Sequence, residues 1–382
     1  MNRQSHGRVL ALLSFVLILH LSLCSNAFLF TSSMGKNQDY NCRPHQQQPT
    51  ALLSCALEEI DSIHTRKRIK RRQHYNLTIL IPAYDEIDRI GETLCSYINY
   101  MKRQPVYQHD AGETSFQKQT TGECSILVID DGSTDGTCQY IQEKTWMLPK
   151  SNDTADDFKK ETNLWKVNED VSCISLSENQ GKGAAIERGM MELQCGNDIH
   201  EDDDGSLSIV LVADADGSAD ISCLGTMMHS LECLLESSST SSSNDNLAIV
   251  VGKRQYPQSK KSLLRSILSW GFRTCVSILM QNTLGVTDTQ CGFKLMTSQT
   301  GKVLYQDLGL KRWSHDVEVL YRASCLENVS VGECGVDWVD KDGSKLVSSG
   351  RDAVVMSAVM LDEIGKMRMM YALGRWGINS KG

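Results

Sequence analysis

The sequence predicts an α/β protein built on a mostly parallel central sheet. Three observations predict it. Short apolar, β-branched runs alternate with amphipathic helical stretches, a strand–loop–helix unit repeated four times from residue 77 onward, as βαβ units do. Each run ends in a polar loop bearing Asp, Glu, Lys, Arg or Gly. Those loops all fall at the strands' carboxyl ends, where open α/β sheets bind ligands.

The chain has 382 residues, 41% of them hydrophobic and 23% charged, a globular composition. The net charge of -8 argues against nucleic acid as a partner. Fourteen cysteines are scattered without a CxxC pair, so neither a zinc site nor a thioredoxin-like motif is indicated.

Residues 1–30 begin with Arg3 and Arg8 and then run apolar from Val9 to Cys24, resuming from Ala27 to Phe30. Counted to Phe30, the run reaches the ~20 residues a membrane span needs; counted to Cys24 it fits a signal peptide, with Ser25-Asn26-Ala27 as cleavage site. The length favours one N-terminal signal anchor. Residues 31–75 form a polar linker closing on the basic run Arg66 to Arg72, suited to an anionic membrane surface or to plain solvent.

Leu77-Thr78-Ile79-Leu80-Ile81-Pro82 reads as a buried strand, followed by the loop Ala83-Tyr84-Asp85-Glu86 and a helix from Asp88 to Tyr100 with Ile90, Leu94, Tyr97 and Ile98 on one face. A polar insertion is expected over 103–123. Ser125 to Ile129 is the second strand, ending in Asp130-Asp131-Gly132-Ser133, with a helix from Thr137 to Trp146. A further polar insertion is expected over 150–170. Val171 to Leu176 is the third strand. It meets Gly181-Lys182-Gly183, whose helix extends to about Leu193.

The fourth strand, Ile209-Val210-Leu211-Val212, drives into Asp214-Ala215-Asp216. Residues i and i+2 of a strand point to one side, so both carboxylates can meet just past the strand end. Two hard oxygen ligands suit Mg²⁺ or Mn²⁺ completed by a diphosphate; the alternative is an acidic turn. A helix from Ile221 to Leu235 and a serine-rich loop, 237–246, lead to the fifth strand, Leu247 to Gly252, ending at Lys253-Arg254.

Beyond residue 256 the sequence reads as a second half with amphipathic, membrane-associated helices: Leu263 to Met280, and a methionine-rich stretch from Ser348 to Trp376. Val331 to Val339 is a late strand. Arg254, Arg273, Lys294 and Arg312 could clamp a second anion. Asp316 and Glu318 form a further acidic pair, as a general base or as partners that orient those cations. Asp130 and Asp131 could accept from a nucleoside; helix capping by Asp131 or Ser133 is the alternative.

Taken in order, Ile81-Pro82-Ala83-Tyr84-Asp85-Glu86, Val128 to Asp135, Asn179 to Gly183 and Ala213 to Gly217 resemble the motifs of the inverting family 2 glycosyltransferases with a GT-A fold. Asp288-Thr289-Gln290-Cys291-Gly292-Phe293-Lys294, Arg312 to Glu318, and Val336-Asp337-Trp338 with Gly343-Ser344-Lys345 look like the dolichyl-phosphate β-glucosyltransferase branch. The resemblance covers about residues 75–375. It implies a 76–255 donor half and a 256–382 acceptor half, and transfer of glucose from UDP-glucose to dolichyl phosphate with inversion, at the cytosolic face of the endoplasmic reticulum membrane. It implies Mg²⁺ or Mn²⁺ on Asp214 and Asp216, nucleoside contacts from Pro82, Tyr84, Glu86 and Asp131, and Lys182 near the phosphates. It further implies acceptor-phosphate contacts from Arg254, Arg273 and Lys294. The mannosyl branch, which uses GDP-mannose, typically has Gln where Ser218 stands here, which favours glucose. The Ala27-Phe28 junction also resembles the cleavage site of bipartite plastid presequences. A non-catalytic sugar-nucleotide-binding membrane protein is the remaining alternative.

Overall fold

The computed structural model describes residues 74–104, 121–144, 165–195, 206–238, 247–256, 276, 285–341 and 350–378. The N-terminal apolar run, the basic linker up to residue 73, most of the polar insertions, Arg273, and the Leu263 to Met280 stretch apart from Val276 lie outside them. Among the described residues no helix is long and apolar enough to cross a membrane.

An eight-stranded sheet organises the chain. β1 (His74–Ala83) is an inner strand, buried through its second half. It pairs in parallel with β2 (Thr121–Asp130) on one side and β5 (Ser206–Val212) on the other. β3 (Trp165–Val167) and β4 (Ser172–Ser175) are two short parallel strands along β2, at its first and second halves. On the far side the order runs β5, β7 (Lys294–Thr297), β6 (Leu247–Gln255), β8 (Val329–Asp337). β6 and β8 are parallel. β7 is antiparallel to both its neighbours, so one reversed strand separates the two parallel blocks.

Several boundaries differ from the sequence reading. Residues 121–123 belong to β2 and Trp165–Val167 to β3, so the polar insertions are shorter than expected. Trp165 is buried against the Tyr75 ring, 6.3 Å between centroids; one aromatic anchor makes a strand in an otherwise polar stretch. β7 carries no strand signal in sequence beyond the motif that ends at Lys294. Its four residues are all buried, too short a run to show a period. Residues beyond 256 supply β7 and β8 to the same sheet.

Helices cover both faces. α1 (Ile90–Arg103) and α4 (Leu224–Ser238, entered through a 3-10 turn at Ile221–Cys223) pack Leu94, Tyr97, Met101, Met227 and Leu231 onto one face. α3 (Lys182–Cys195), α5 (Ser298–Tyr305) and α6 (His315–Cys325) pack Ile186, Met190, Leu304, Val319 and Leu320 onto the other. α2 (Thr137–Gln142) follows β2, and α7 (Gly350–Ala372) lays Ile364 and Met367 against Val317 and Tyr321 of α6.

The register fixes the functional edge. Ala83 lies opposite Asp130, and Leu80 opposite Val212. The main chain continues the pairing past the strands, with Asp131 N–H donating to Ala83 O at 2.8 Å and Ala213 N–H to Leu80 O at 3.0 Å. Asp130, Asp131 and Asp214 therefore stand in a row along the carboxyl edge.

Candidate active site

After β5 the chain turns at Ala215-Asp216. Gly217 takes φ +66°, and a Cβ there would stand 2.8 Å from Thr93 Oγ1, so only glycine serves. Thr93 Oγ1 donates to Ala215 O at 2.9 Å, fixing the turn from beneath. Asp214 forms an ion pair with Lys182 Nζ. Asp216 Oδ1 accepts from the Ser218 N–H at 2.9 Å, and its Oδ2 lies 3.9 Å from Arg89 Nη1. Arg89 also holds Glu86 through Nε and Nη2, at 2.7 and 2.6 Å. Both carboxylates are thus partly exposed and each faces a cationic group.

The loops after β1 and β2 interlock. Asp85 accepts from Thr134 N–H at 2.7 Å, and the N–H groups of Asp85 and Glu86 donate to Ser133 and Thr137 at 2.8 and 2.9 Å. Pro82 is buried at the end of β1; Tyr84 is exposed. Asp130 is buried, taking Ser133 through one oxygen and Ser175 Oγ at 2.8 Å through the other. Asp131 accepts from the N–H groups of Gln180 and Gly181, both at 2.8 Å. Neither Asp131 nor Ser133 caps α2, whose N-cap is Gly136 without a side-chain bond. Burial raises Asp131 above the usual carboxylate range, although the two N–H donors oppose it. Asp131 thus shapes the glycine loop.

That loop is pressed against the chain before α6. At Gly181, φ is +107°, and a Cβ would meet Lys311 O at 2.5 Å. Lys182, the first residue of α3, is thereby aimed at Asp214, with its Nζ 5.9 Å from the Trp313 ring centre. Burial would lower the Lys182 ammonium, but Asp214 and Asp316 outweigh it and hold it above its ordinary value.

The second group of expected residues separates into two kinds. Arg254 grips Asp288 with Nε and Nη2 at 2.7 and 2.8 Å and lies 5.5 Å over the Trp338 ring. It remains partly exposed at the strand end. Lys294 does not: it is fully buried, with its ammonium held by the Cys291 carbonyl and Asp316. A phosphate cannot reach it without breaking that pair. Asp316 is buried too. Burial alone would raise its pKa, but His315, Lys294 and Lys182 hold it far below the usual carboxylate range. Its contacts make it the counter-ion of the buried Lys294 and set it 3.1 Å from His315 Nε2.

Asp316 and Glu318 do not act as a pair. On a helix, positions i and i+2 point away from each other. Glu318 is fully buried on the other side of α6, accepting from the N–H groups of Gly309 and Leu310 at 3.0 and 2.6 Å, Arg322 at 2.8 Å and Tyr371 OH at 2.8 Å. Arg322 in turn donates to the carbonyls of Gln306 and Asp307. Glu318 therefore anchors the loop and α7, and the catalytic expectation for it is corrected.

Sequence reasoning missed Arg89, Thr93, Gly292 and Asp288 as supports. Only Arg89 carried a readable signal, the i, i+3 spacing from Glu86. Among the described residues no group of three or more His, Cys, Asp or Glu gathers as a metal cluster. A divalent ion wanting about six oxygens would take Asp214 and Asp216 and draw the rest from a diphosphate and water. Both carboxylates are hard oxygen donors and partly exposed, so the residues fit such a shared ion.

The glycosyl transferase family 2 profile matches residues 78–233. A dolichyl-phosphate beta-glucosyltransferase of Dictyostelium discoideum is 30% identical over 312 residues, 80% of this chain and 77% of that one. The chain belongs to the dolichyl-phosphate beta-glucosyltransferases of glycosyl transferase family 2. Relatives of the same name are 26% identical in Saccharomyces cerevisiae, over 88% of this chain and 89% of theirs, and 27% identical in Homo sapiens, over 78% and 77%. Among solved structures, mannosyl-3-phosphoglycerate synthase from Rubrobacter xylanophilus is similar with a TM-score of 0.45 and 13% identity, over 79% of this chain and 76% of that one.

Proposed function

We propose that this chain transfers glucose from UDP-glucose to dolichyl phosphate, with inversion at the anomeric carbon. The observation that carries the reading is the Asp214–Asp216 pair set beside Lys182 at the sheet's carboxyl edge, in a chain of this family. A divalent ion, Mg²⁺ or Mn²⁺, supplies charge neutralisation of the leaving diphosphate when bound. Asp214 and Asp216 would hold it, and Lys182, paired with Asp214, would add a second positive charge for the same diphosphate. Exposed Tyr84 offers a ring to the nucleoside beside Pro82 and Glu86. Asp131 keeps the Gly181 loop in shape for the phosphates.

The acceptor phosphate is already ionised near neutral pH, so it attacks without a protein base. Arg254, partly exposed at the end of β6, and Arg273 orient it. Lys294 acts one step back, as the buried partner of Asp316. Ser218, whose N–H holds Asp216, stands where the mannosyl branch typically has Gln, which favours glucose. Purified protein given dolichyl phosphate tests the donor: UDP-glucose is turned over and GDP-mannose is not. Preference for GDP-mannose would move the chain to the mannosyl branch.

We place the enzyme at the endoplasmic reticulum membrane, anchored by residues 9–30, with its catalytic domain in the cytosol; a plastid destination follows if the presequence is cleaved. In the cytosol Asn76, Asn152 and Asn328, each in a glycosylation sequon, stay unmodified. A mass shift on glycosidase treatment would reverse that topology.

A further inference from the structure

We propose that Glu333 of β8 is a positioning residue for the acceptor substrate: through Asp288 it fixes the Arg254 guanidinium that receives the lipid phosphate. This role rests on the reading of Arg254 as the acceptor-phosphate contact.

Arg254 lies near the end of β6, close to the acidic turn. Its guanidinium stands 5.5 Å over the Trp338 ring. Trp338 in turn bridges to Ala219, three residues past Asp216, and the neighbouring Val339 N–H donates to Ser218 O at 2.9 Å. One residue, Trp338, thus links the cation to the turn that carries Asp216. A long arginine side chain keeps such a place only when its planar head is held. The ring supports one face, and Asp288 sets the direction. Asp288 accepts from the Arg254 N–H at 3.2 Å, from Nε at 2.7 Å and from Nη2 at 2.8 Å. A bidentate carboxylate fixes the plane of a guanidinium.

Asp288 itself belongs to no strand or helix, and Glu333 fixes it. The Glu333 carboxylate accepts from the Asp288 N–H at 2.9 Å, the Thr287 N–H at 2.6 Å and the Thr287 hydroxyl at 2.8 Å. Lys253, next to Arg254 on β6, brings its Nζ to 3.6 Å from the same carboxylate. The parallel pairing of β6 and β8 holds Glu333 opposite Val251, so its backbone place is set by the sheet. A carboxylate side chain only 10% exposed is costly unless paired, and here its partners are the residues of the Arg254 clamp. Glu333, Asp288 and Arg254 therefore form one continuous relay from the sheet to the cation.

Initial rates with UDP-glucose and dolichyl phosphate, on full-length protein whose folding is checked by a melting curve, test this. Glu333→Gln keeps the shape and one acceptor oxygen but gives up the charge. It should raise KM for dolichyl phosphate roughly 5-fold, within the couplings found between residues of one hydrogen-bond network, and leave KM for UDP-glucose unchanged. In an Arg254→Ala background the same change should add nothing, because no guanidinium remains to be placed. A rise in both constants, no rise in either, or an equal effect in both backgrounds would overturn the role. Thr287→Val removes one Glu333 bond with little change of shape. It should shift the dolichyl phosphate constant in the same direction, and it decides the matter if Glu333→Gln does not fold. An Arg254→Ala protein with the wild-type KM for dolichyl phosphate would instead remove the acceptor reading of Arg254, and the role of Glu333 with it.

Discussion

Gly292 lies so close to the Asp214 carboxylate that a Cβ on it would stand 2.5 Å from Oδ1 and 2.6 Å from Oδ2. The glycine belongs to the segment entering β7, the reversed strand beside β5. The sheet topology thus brings a distant part of the chain onto the acidic pair. Gly292→Ala must push the carboxylate aside. We expect kcat to fall roughly 100-fold, the scale of a displacement near 1 Å at a reacting centre, with little change in thermal stability. Initial rates and a melting curve check both; wild-type kcat would mean the carboxylate position is not critical.

Asp288 and Arg254 form a bidentate pair at the end of β6. Burial would raise the Asp288 carboxyl, but its hydrogen bonds and Coulomb attraction to Arg254 hold it below the usual range. A folded pKa below the unfolded one stabilises above about pH 4 and loses that contribution as pH falls through the folded value. Asp288→Asn should therefore cost about 1–3 kcal/mol at pH 7, and the gap to wild type should narrow at pH 3. Urea unfolding at the two pH values measures it; an equal gap at both would contradict the pairing.

Glu318 separates a structural role from a catalytic one. Glu318→Gln leaves the Arg322 guanidinium buried without its counter-charge, for an expected loss of about 3–5 kcal/mol. Assayed below its melting temperature, the variant should keep kcat within a few-fold of wild type. A stable variant with activity lost by orders of magnitude would restore the catalytic reading.

The alternating pattern of strands and helices was legible because β1, β2 and β5 are buried, β-branched runs with polar loops between them. The acidic edge was legible for the same reason: apolar runs that stop abruptly at Asp130 and Asp214. What the sequence hid depends on tertiary contact. β7 has only four residues and no period of its own. Trp165 makes a strand by packing on Tyr75, ninety residues earlier. Asp316 and Glu318 looked like a pair because their helix was not recognised, and helical geometry sends them apart. Lys294 looked like a phosphate ligand because its cationic charge is visible in sequence and its burial is not.

Under the proposed function, Asp214 and Asp216 hold the sugar nucleotide, through a shared ion, for transfer to a lipid phosphate. The most direct test is lipid-linked glucose formed from labelled UDP-glucose and dolichyl phosphate, measured for wild type and for Asp216→Asn with folding verified. Wild type should form the product and the variant should lose about 100-fold or more, the range for removing one group that stabilises developing charge. Equal product from both, or none from wild type, would contradict it.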